Sequence, residues 1–503
     1  MRISLMVEMV SEGLGDRIIL GTRSGGMTAA QLLEKSRRAA AWSLARHGER
    51  ICYIGVNSDA VPVALLASSL SGRPFVPLNF RLADDRLRDI AVRAAPAVAI
   101  VDEGVAERIG PVDGLEFIER HAFLEACEDP GLVLPEEEPD EEVAVLLFTS
   151  GTTGEPKGAV LRHLNLTSYV LGTVEFLGAS EEEAGLVSVP PYHIAGLMSI
   201  LTSVYAGRRL VYLPTFDPEQ WVDLVRDEGI TQAMVVPTML GRILDVLEQR
   251  GEKLPSLRSL SYGGGRMPLP VIERALRDLP DVNFTNAYGL TETSSTVSVL
   301  TPDDHRMAMS SDDPVVHRRL GSVGQPIPTL ELVIRDSVTD EEVGPGEVGE
   351  IWVRGDQVSG EYIGRDDKDP EGWFRTRDAG WLDDGGYLYV EGRLDDVIVR
   401  GAENMSPGEI EEVLLTHPAV KEAAAIGVPD DEWGEHVGIV VVLHDGKSAT
   451  ADELRQWVKD RLRSSRTPHE VEFRTEMPYN ETGKLLRRVL KDDLAALAEG
   501  RAG

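Results

Sequence analysis

From Arg50 to about Asp281, apolar runs rich in Val, Ile and Leu alternate with stretches at helical spacing. Ile51 to Val56, Phe75 to Leu78 and Val98 to Val101 have the length and branching of buried strands, whereas Ala60 to Leu70 and Leu82 to Val92 space their apolar residues as helices do. The pattern returns at Gly185 to Val189, Arg209 to Leu213, Gln232 to Val236 and Leu257 to Tyr262, each followed by a helix-compatible segment. Apolar strands separated by helices predict parallel sheets covered on both faces. In open sheets of this kind ligands sit beyond the strand C-termini, so the loops leaving these strands are where chemistry is to be sought.

Around Gly321 to Val390 the texture changes to short strands, such as Leu330 to Ile334 and Glu350 to Arg354, separated by Gly, Pro and Asp turns. This predicts a small, mostly antiparallel β subdomain. After "GRLDD" (Gly392 to Asp396) a third texture begins: Glu409 to Leu415, Ala423 to Val428, Val437 to Leu443 and Ala451 to Leu462 read as helix, strand, strand, helix. The expected organisation is therefore an α/β N-terminal domain over 1–394, with the β subdomain at about 296–390, and an α+β C-terminal domain over 395–503. The acidic "LPEEEPDEE" ahead of Val143 reads as a solvated connector, and no repeat at solenoid or propeller period is present.

With 503 residues, 42% of them hydrophobic, the chain can bury the cores of two or three domains, which excludes disorder as its main state. Its 51 Lys and Arg face 84 Asp and Glu, a net charge of −33 that repels nucleic-acid backbones and anionic membrane surfaces. Cys52 and Cys127, the only cysteines, lie in apolar settings without metal-ligand partners at short spacing, so neither a disulfide scaffold nor a zinc site is expected. Arg2 is the only charged side chain ahead of the Ile3 to Val10 run, which Ser4 and Glu8 break, and no segment approaches the roughly 18 uninterrupted apolar residues of a membrane span. The expectation is a cytoplasmic protein with no membrane span.

Five strings carry chemistry. "LLFTSGTTGEPKGAV" sets a buried strand ahead of Thr149, Ser150, Gly151, Thr152, Thr153, Gly154 and Lys157. Its glycines let backbone N–H groups turn inward, its hydroxyls add donors and a metal ligand, and Lys157 adds a mobile positive charge: a phosphate cradle, or else a generic Gly/Ser/Thr loop. It lacks the glycine spacing of the usual P-loop. "FTNAYGLTET" places Tyr288 and Glu292 in a loop past another strand, where a ring can stack on a base and a carboxylate can hold a metal, although the string also suits an ordinary hairpin or turn. "RTRDAG" and "GRLDD" supply Asp378 and Arg393, a carboxylate able to accept ribose hydroxyls and a cation able to reach the same sugar. "PYNETGK" presents Lys484 on a turn, where a lysine by itself is ordinary surface.

In order and over nearly the whole chain, these strings resemble the superfamily of adenylate-forming enzymes that includes acyl-CoA synthetases, carrier-protein adenylation domains and firefly luciferase. The resemblance implies a large N-terminal domain of two doubly wound α/β sheets plus the β subdomain, then a hinge and a small mobile C-terminal domain. It implies an acid:CoA ligase in which a carboxylate attacks MgATP to give acyl-AMP and pyrophosphate, and CoA then displaces AMP. Carried over residue by residue, Thr149 to Lys157 hold the distal phosphates, and Thr152 and Glu292 serve Mg²⁺. Gly264, Gly265, Arg266, Asn286, Ala287 and Tyr288, with Gly289 and Thr291 beside them, frame the nucleotide. Asp378 and Arg393 hold the ribose, and Lys484 bridges the attacking carboxylate and the α-phosphate. Asp395 matches the hinge, and Gly401, Ala402 and Glu403 match the loop lining the tunnel for the thiol arm. Ala402 stands where a second glycine is common, which bears on the CoA step.

"PPYHIAGL" matches the segment lining the acyl pocket, gated by Tyr192 or catalytic His193, and a histidine beside an aromatic is equally a packed residue. The absence of an Asp here argues against an amino-acid substrate. Gly263, Gly264 and Gly265 predict room at the pocket floor, hence an apolar, bulky or aromatic acid, while Arg266 offers an alternative contact for a second carboxylate. The expected partners are thus a small carboxylic acid, ATP and CoA, with an acyl carrier protein as the rival acceptor and nucleic acid excluded. A chain efficient in only one half-reaction is a further alternative, whereas a catalytically silent scaffold is disfavoured by the presence of Lys484, Asp378 and Glu292 together.

Overall fold

The structure, a computed structural model, describes residues 1–149, 157–400, 403–430, 433–479 and 485–502. Its central feature is a pair of large sheets. In one, of nine strands, Asn283–Leu290, Ser259–Gly263, Gln232–Val235, Ala184–Val187, Arg209–Tyr212 and Ile18–Leu20 lie side by side in that order and run parallel. In the other, of eight strands, Val143–Thr149, Phe75–Pro77, Arg50–Ile54, Ala97–Val101 and Leu115–Glu119 form the parallel part. One apolar core joins them: Ile51 and Val98 from one sheet and Ile19 and Leu210 from the other meet Trp42, Leu65 and Leu197, carried by the helices Ala29–Leu44, Ala60–Ser71 and Ile194–Ala206.

Local chemistry sets where those helices start and stop. Thr28 caps Ala29–Leu44 by accepting from the Gln31 amide, while the Gln31 side chain returns to the Thr28 N–H, which satisfies two donors that a helix start leaves open. Ala60–Ser71 is buried on nearly every side, as its unbroken apolar sequence requires, and ends at Gly72 with φ 66°, a left-handed conformation that suits glycine.

The small antiparallel sheet orders Glu331–Arg335, Gly349–Arg354, Phe374–Leu382 and Leu388–Arg393, a narrower set than the 296–390 span expected of the β subdomain. Ser295–Leu300 and Gln325–Pro326 extend the nine-stranded sheet instead, and Glu361–Tyr362 with Arg365–Asp366 extend the eight-stranded one through Lys157–Arg162. These antiparallel additions cover open sheet edges, whose unpaired backbone groups would otherwise invite wrong pairing. Beyond the turn Leu394–Asp396 the C-terminal domain has its own cores, in which Ile410, Val420, Ile439 and Leu454 pack in one and Ile426, Val440 and Leu490 in the other. Among the described residues no helix is long and apolar enough to cross a membrane.

Candidate active site

The site lies where the two large sheets and the small sheet meet. Thr149 ends one strand and Lys157 begins its antiparallel neighbour, with the two residues directly opposite each other. The return strand distinguishes this arrangement from a strand–loop–helix phosphate loop. Ser150, Gly151, Thr152, Thr153 and Gly154 lie outside the described residues, as do Gly401, Ala402 and Lys484, while Glu403 opens the strand Glu403–Met405.

Tyr288 stands within the strand Asn283–Leu290 rather than in the loop expected. The strand outruns its parallel partner, which pairs as far as Ala287, because Ser295–Leu300 pairs with its last residues as a hairpin. Close approach fixes that hairpin: a Cβ at Gly289 would lie 1.6 Å from the Ser295 carbonyl oxygen. Thr291 and Glu292 occupy the 3₁₀ turn at its tip, where Thr293 Oγ1 accepts from the Leu290 amide at 3.0 Å. The Glu292 carbonyl accepts the Ser359 amide at 2.8 Å, and this ties the turn to the edge strand Glu361–Tyr362.

That tie assembles the end of the site expected to take the phosphates. The Tyr362 hydroxyl donates to Glu292 Oε1 at 2.6 Å, and Lys157 Nζ lies 5.7 Å from the centre of the Tyr362 ring. Burial, and next the Glu292 charge, push the Tyr362 hydroxyl well above its ordinary pKa, so it stays a donor. Among the described residues no group of three or more His, Cys, Asp or Glu could by itself hold a metal ion. A lone carboxylate at Glu292 suits Mg²⁺, which takes most of its oxygens from phosphates and water.

At the end expected to hold the ribose, Asp378 and Arg393 face each other across the small sheet. Asp378 Oδ2 accepts the Tyr288 hydroxyl at 2.6 Å and Oδ1 the Arg393 Nε at 3.2 Å, and Arg393 Nη1 donates to the Thr376 carbonyl at 2.7 Å. Burial opposes the Arg393 charge, but Asp378 and the neighbouring oxygens outweigh it and its pKa rises. Burial and the Asp378 charge raise Tyr288 likewise. Asn286, expected at the adenine, is buried with its Nδ2 on the Ser322 carbonyl at 3.0 Å.

Gly263 adds no room to a pocket floor, because its missing side chain is already replaced by the Ala287 carbonyl, 2.3 Å from where a Cβ would stand. Gly264, at φ 77°, and Gly265 are less crowded, with the nearest atoms 3.6 and 3.9 Å from such a Cβ. Arg266 turns away to the C-terminal domain, where its guanidinium bonds Glu412 and lies against Gly408 in the helix Pro407–Leu415.

Tyr192 and His193 stand together at the start of Ile194–Ala206, their rings 4.8 Å apart, with Phe80 edge-on to Tyr192 at 6.0 Å. His193 Nε2 is buried and has no hydrogen-bond partner among the described residues. Burial, and next the Arg81 charge, lower the His193 pKa to about 4, so the ring is neutral near pH 7. Asp395 is exposed in the turn Leu394–Asp396 between the domains. Sequence reasoning missed Phe80, Thr376, Tyr362 and Glu412; "PLNF", just past the strand Phe75–Pro77, is the one local signal available, because it marks a strand C-terminus.

A lysine and a metal-competent carboxylate at one end, a buried carboxylate paired with a half-buried arginine at the other and an aromatic wall beside them define a nucleotide-dependent, adenylate-forming enzyme. The model of the AMP-binding enzyme family matches residues 8–363, and that of the AMP-binding enzyme C-terminal domain matches residues 409–484. Feruloyl-CoA synthase of an Amycolatopsis species is 35% identical over 92% of this chain and 94% of its own length. A 2-succinylbenzoate–CoA ligase of Bacillus cereus is 33% identical over 89% and 88%. The o-succinylbenzoate CoA synthetase of Bacillus subtilis, solved with its acyl-adenylate intermediate, superposes with a TM-score of 0.82 at 30% identity over 97% and 98%. Its complex with ATP and magnesium gives 0.80 at 28% over 97% and 99%. The chain belongs to the AMP-binding enzyme family. It is an ATP-dependent, AMP-forming acid–thiol ligase that works with ATP, Mg²⁺ and CoA.

Proposed function

We propose that the acid this ligase activates is apolar and bulky or aromatic. The observation that carries this reading is the acyl end itself: the rings of Tyr192, His193 and Phe80 meet there, and His193 is neutral. An uncharged aromatic wall favours an apolar body over a small polar acid. The names of the two similar ligases, which denote ferulate and succinylbenzoate, point the same way.

In this reading the substrate carboxylate oxygen bonds to the α-phosphorus of ATP as the bond to the bridging oxygen of pyrophosphate breaks. Asp378 and Arg393 anchor the ribose, Tyr288 positions Asp378, and Lys157 with Thr149 to Gly154 cradles the distal phosphates. Glu292, oriented by Tyr362, and Thr152 would hold Mg²⁺, which when bound neutralises phosphate charge. Lys484 brings its ammonium to the attacking carboxylate and the α-phosphate. The C-terminal domain then turns about Asp395, which removes Lys484 and brings Gly401, Ala402 and Glu403 to the thiol arm. The CoA sulfur bonds to the acyl carbon, and AMP leaves on its phosphate oxygen. Positioning and charge neutralisation are most of what both transfers ask of the protein.

The test is a panel of carboxylic acids with MgATP, with and without CoA, read as pyrophosphate release and as thioester by mass spectrometry. The expected result is acyl-CoA from apolar or aromatic acids, with Lys484→Ala blocking acid-dependent pyrophosphate release but still passing a supplied acyl-adenylate to CoA. Reaction with only acetate, propionate or malonate overturns the substrate reading. Pyrophosphate release without acyl-CoA moves the acceptor to a carrier-protein thiol, and equal loss of both steps in Lys484→Ala overturns the domain alternation.

A further inference from the structure

Beside the phosphate end lies a groove that the steps above leave unused. A cavity of about 260 Å³ is lined by Arg365, Asp367, Arg375 and Arg377. It adjoins a second of about 320 Å³ that shares Arg375 and Arg377 and reaches the hinge at Leu394 and Asp395. The three arginines differ in how they are held. Arg375 is neutralised by the buried Glu350 at 2.6 Å, with Asp340 at 3.4 Å, and Arg365 pairs with Asp367. The Arg377 guanidinium has no ion pair or hydrogen bond among the described residues, although its backbone amide is fixed on Glu350 Oε1 at 3.2 Å. Arg377 also sits at φ 61°, a conformation rare for a residue with a side chain, between the buried Thr376 and Asp378. Strain of this kind persists only where its surroundings impose it, and here it leaves one uncompensated cation in the groove.

The groove begins where the phosphate end stops. Arg365 Cζ lies 5.5 Å from the centre of the same Tyr362 ring that Lys157 approaches to 5.7 Å. In a chain of net charge −33, most of the surface repels a phosphate, so a guanidinium without an ion-pair partner among the described residues, as at Arg377, selects where one settles. Glu350 and Asp395 both line the second cavity, whereas the one carboxylate lining the first is Asp367, held by Arg365, so the first is the anion-suited part. Guanidinium groups match phosphate oxygens in geometry as well as charge.

We infer that Arg377 and Arg365 form a second anion site, separate from the ATP phosphate cradle, for a phosphate or pyrophosphate group. Resting on the proposed reaction, two sources offer that group: the pyrophosphate leaving the first step, and the phosphates of CoA arriving for the second.

The test fills the nucleotide site with α,β-methylene-ATP and Mg²⁺ and titrates the intact protein with pyrophosphate by calorimetry. One pyrophosphate per chain is expected, bound at least tenfold more weakly by R377G and by R365Q. R377G relieves the left-handed backbone, so its melting temperature is expected to hold or rise and misfolding does not explain a loss. In turnover, a pyrophosphate inhibition constant raised fivefold or more in R377G assigns the site to the leaving group. A KM raised fivefold for CoA but not for 3′-dephospho-CoA assigns it to the CoA phosphate. No second binding event, or equal binding by wild type and both variants, overturns the inference while intact acyl-adenylate formation leaves the proposed function standing. Pyrophosphate binding without any acyl-adenylate overturns the reaction and keeps the site.

Discussion

At the end proposed for the ribose and phosphates, polar groups from separate elements are already bonded to one another: Tyr288 and Arg393 on Asp378, Tyr362 on Glu292, Arg393 on Thr376. At the acyl end the contacts are between rings, and a buried His193 nitrogen has no partner among the described residues. The first arrangement suits a ligand that never changes, because preformed hydrogen bonds lose no energy to reorganisation when the nucleotide arrives. The second leaves contact geometry to packing, which one or two side chains can alter. A chain built this way keeps its chemistry fixed and its substrate adjustable.

The largest test of this contrast removes the anchor. Asp378→Ala takes the carboxylate from Tyr288 and leaves the half-buried Arg393 charge uncompensated, a loss below the about 3–5 kcal/mol of removing one partner of a fully buried pair. Acid-dependent pyrophosphate release is expected to fall about 100-fold or more in kcat/KM for ATP, with a lower denaturant midpoint. Unchanged ATP kinetics in a folded Asp378→Ala protein breaks the comparison, since the ribose end is then not an anchor. Tyr362→Phe keeps the ring beside Lys157 and removes only the hydroxyl on Glu292. A hydrogen bond to a charged group is worth about 1.5–3 kcal/mol, so adenylation is expected to slow by about 10-fold or more, most at low Mg²⁺. An effect that is independent of Mg²⁺ concentration argues against Glu292 as its ligand.

The two ends also differed in how far the linear sequence exposes them. Strand–helix alternation made both large sheets legible, because burial on two faces leaves continuous apolar runs between Arg50 and Tyr262. Asp378, Arg393 and Glu292 were legible as motif residues. Tyr362 was not, because it reaches Glu292 only after a two-residue edge strand joins a sheet whose other members lie some two hundred residues earlier, and nothing local marks that pairing. The turn composition of "NAYGLTET" points to a loop at Tyr288, yet antiparallel pairing with Ser295–Leu300 holds it in a strand. The Gly263 to Gly265 run was misleading in one position, where glycine answers to a neighbouring carbonyl rather than to a ligand.

His193 tests the adjustable end. His193→Phe keeps a ring against Tyr192 and removes the buried nitrogen, so acid preference is expected to shift toward apolar substrates while KM for ATP changes less than twofold. The pH dependence has a definite sign. The folded pKa of His193, about 4, lies below that of the unfolded chain, so below about pH 6.5 the unfolded state takes up a proton that the folded state refuses. Stability is complete above that pH and falls as pH drops toward 4. At pH 5 His193 accounts for about 2 kcal/mol of that fall, which His193→Phe is expected to abolish. His163 and His305, lowered by burial to about 3 and 4, keep their share of the acid sensitivity in the variant. Identical pH–stability curves for wild type and His193→Phe, from urea denaturation at pH 7 and 5, are inconsistent with a buried neutral ring.

The smallest expected effect lies between the two ends, at a side chain that joins the site's rim to the C-terminal domain. Arg266 follows the strand Ser259–Gly263, yet its guanidinium rests on Gly408 and bonds Glu412, positions four apart and so on one face of Pro407–Leu415. If that domain turns between the half-reactions, this contact belongs to the orientation described here and is lost in the other. Its side chains are 37% and 52% exposed, which limits the pair to about 1 kcal/mol, or fivefold in a conformational equilibrium. Arg266→Ala and Glu412→Gln are each expected to change the ratio of thioester formation to adenylation by up to fivefold, with the difference shrinking in high salt. The double variant is expected to match either single one, because both remove the same contact. Additive effects, or a change in acid preference in Arg266→Ala alone, would return Arg266 to the substrate and make the acyl end more polar than its aromatic wall suggests.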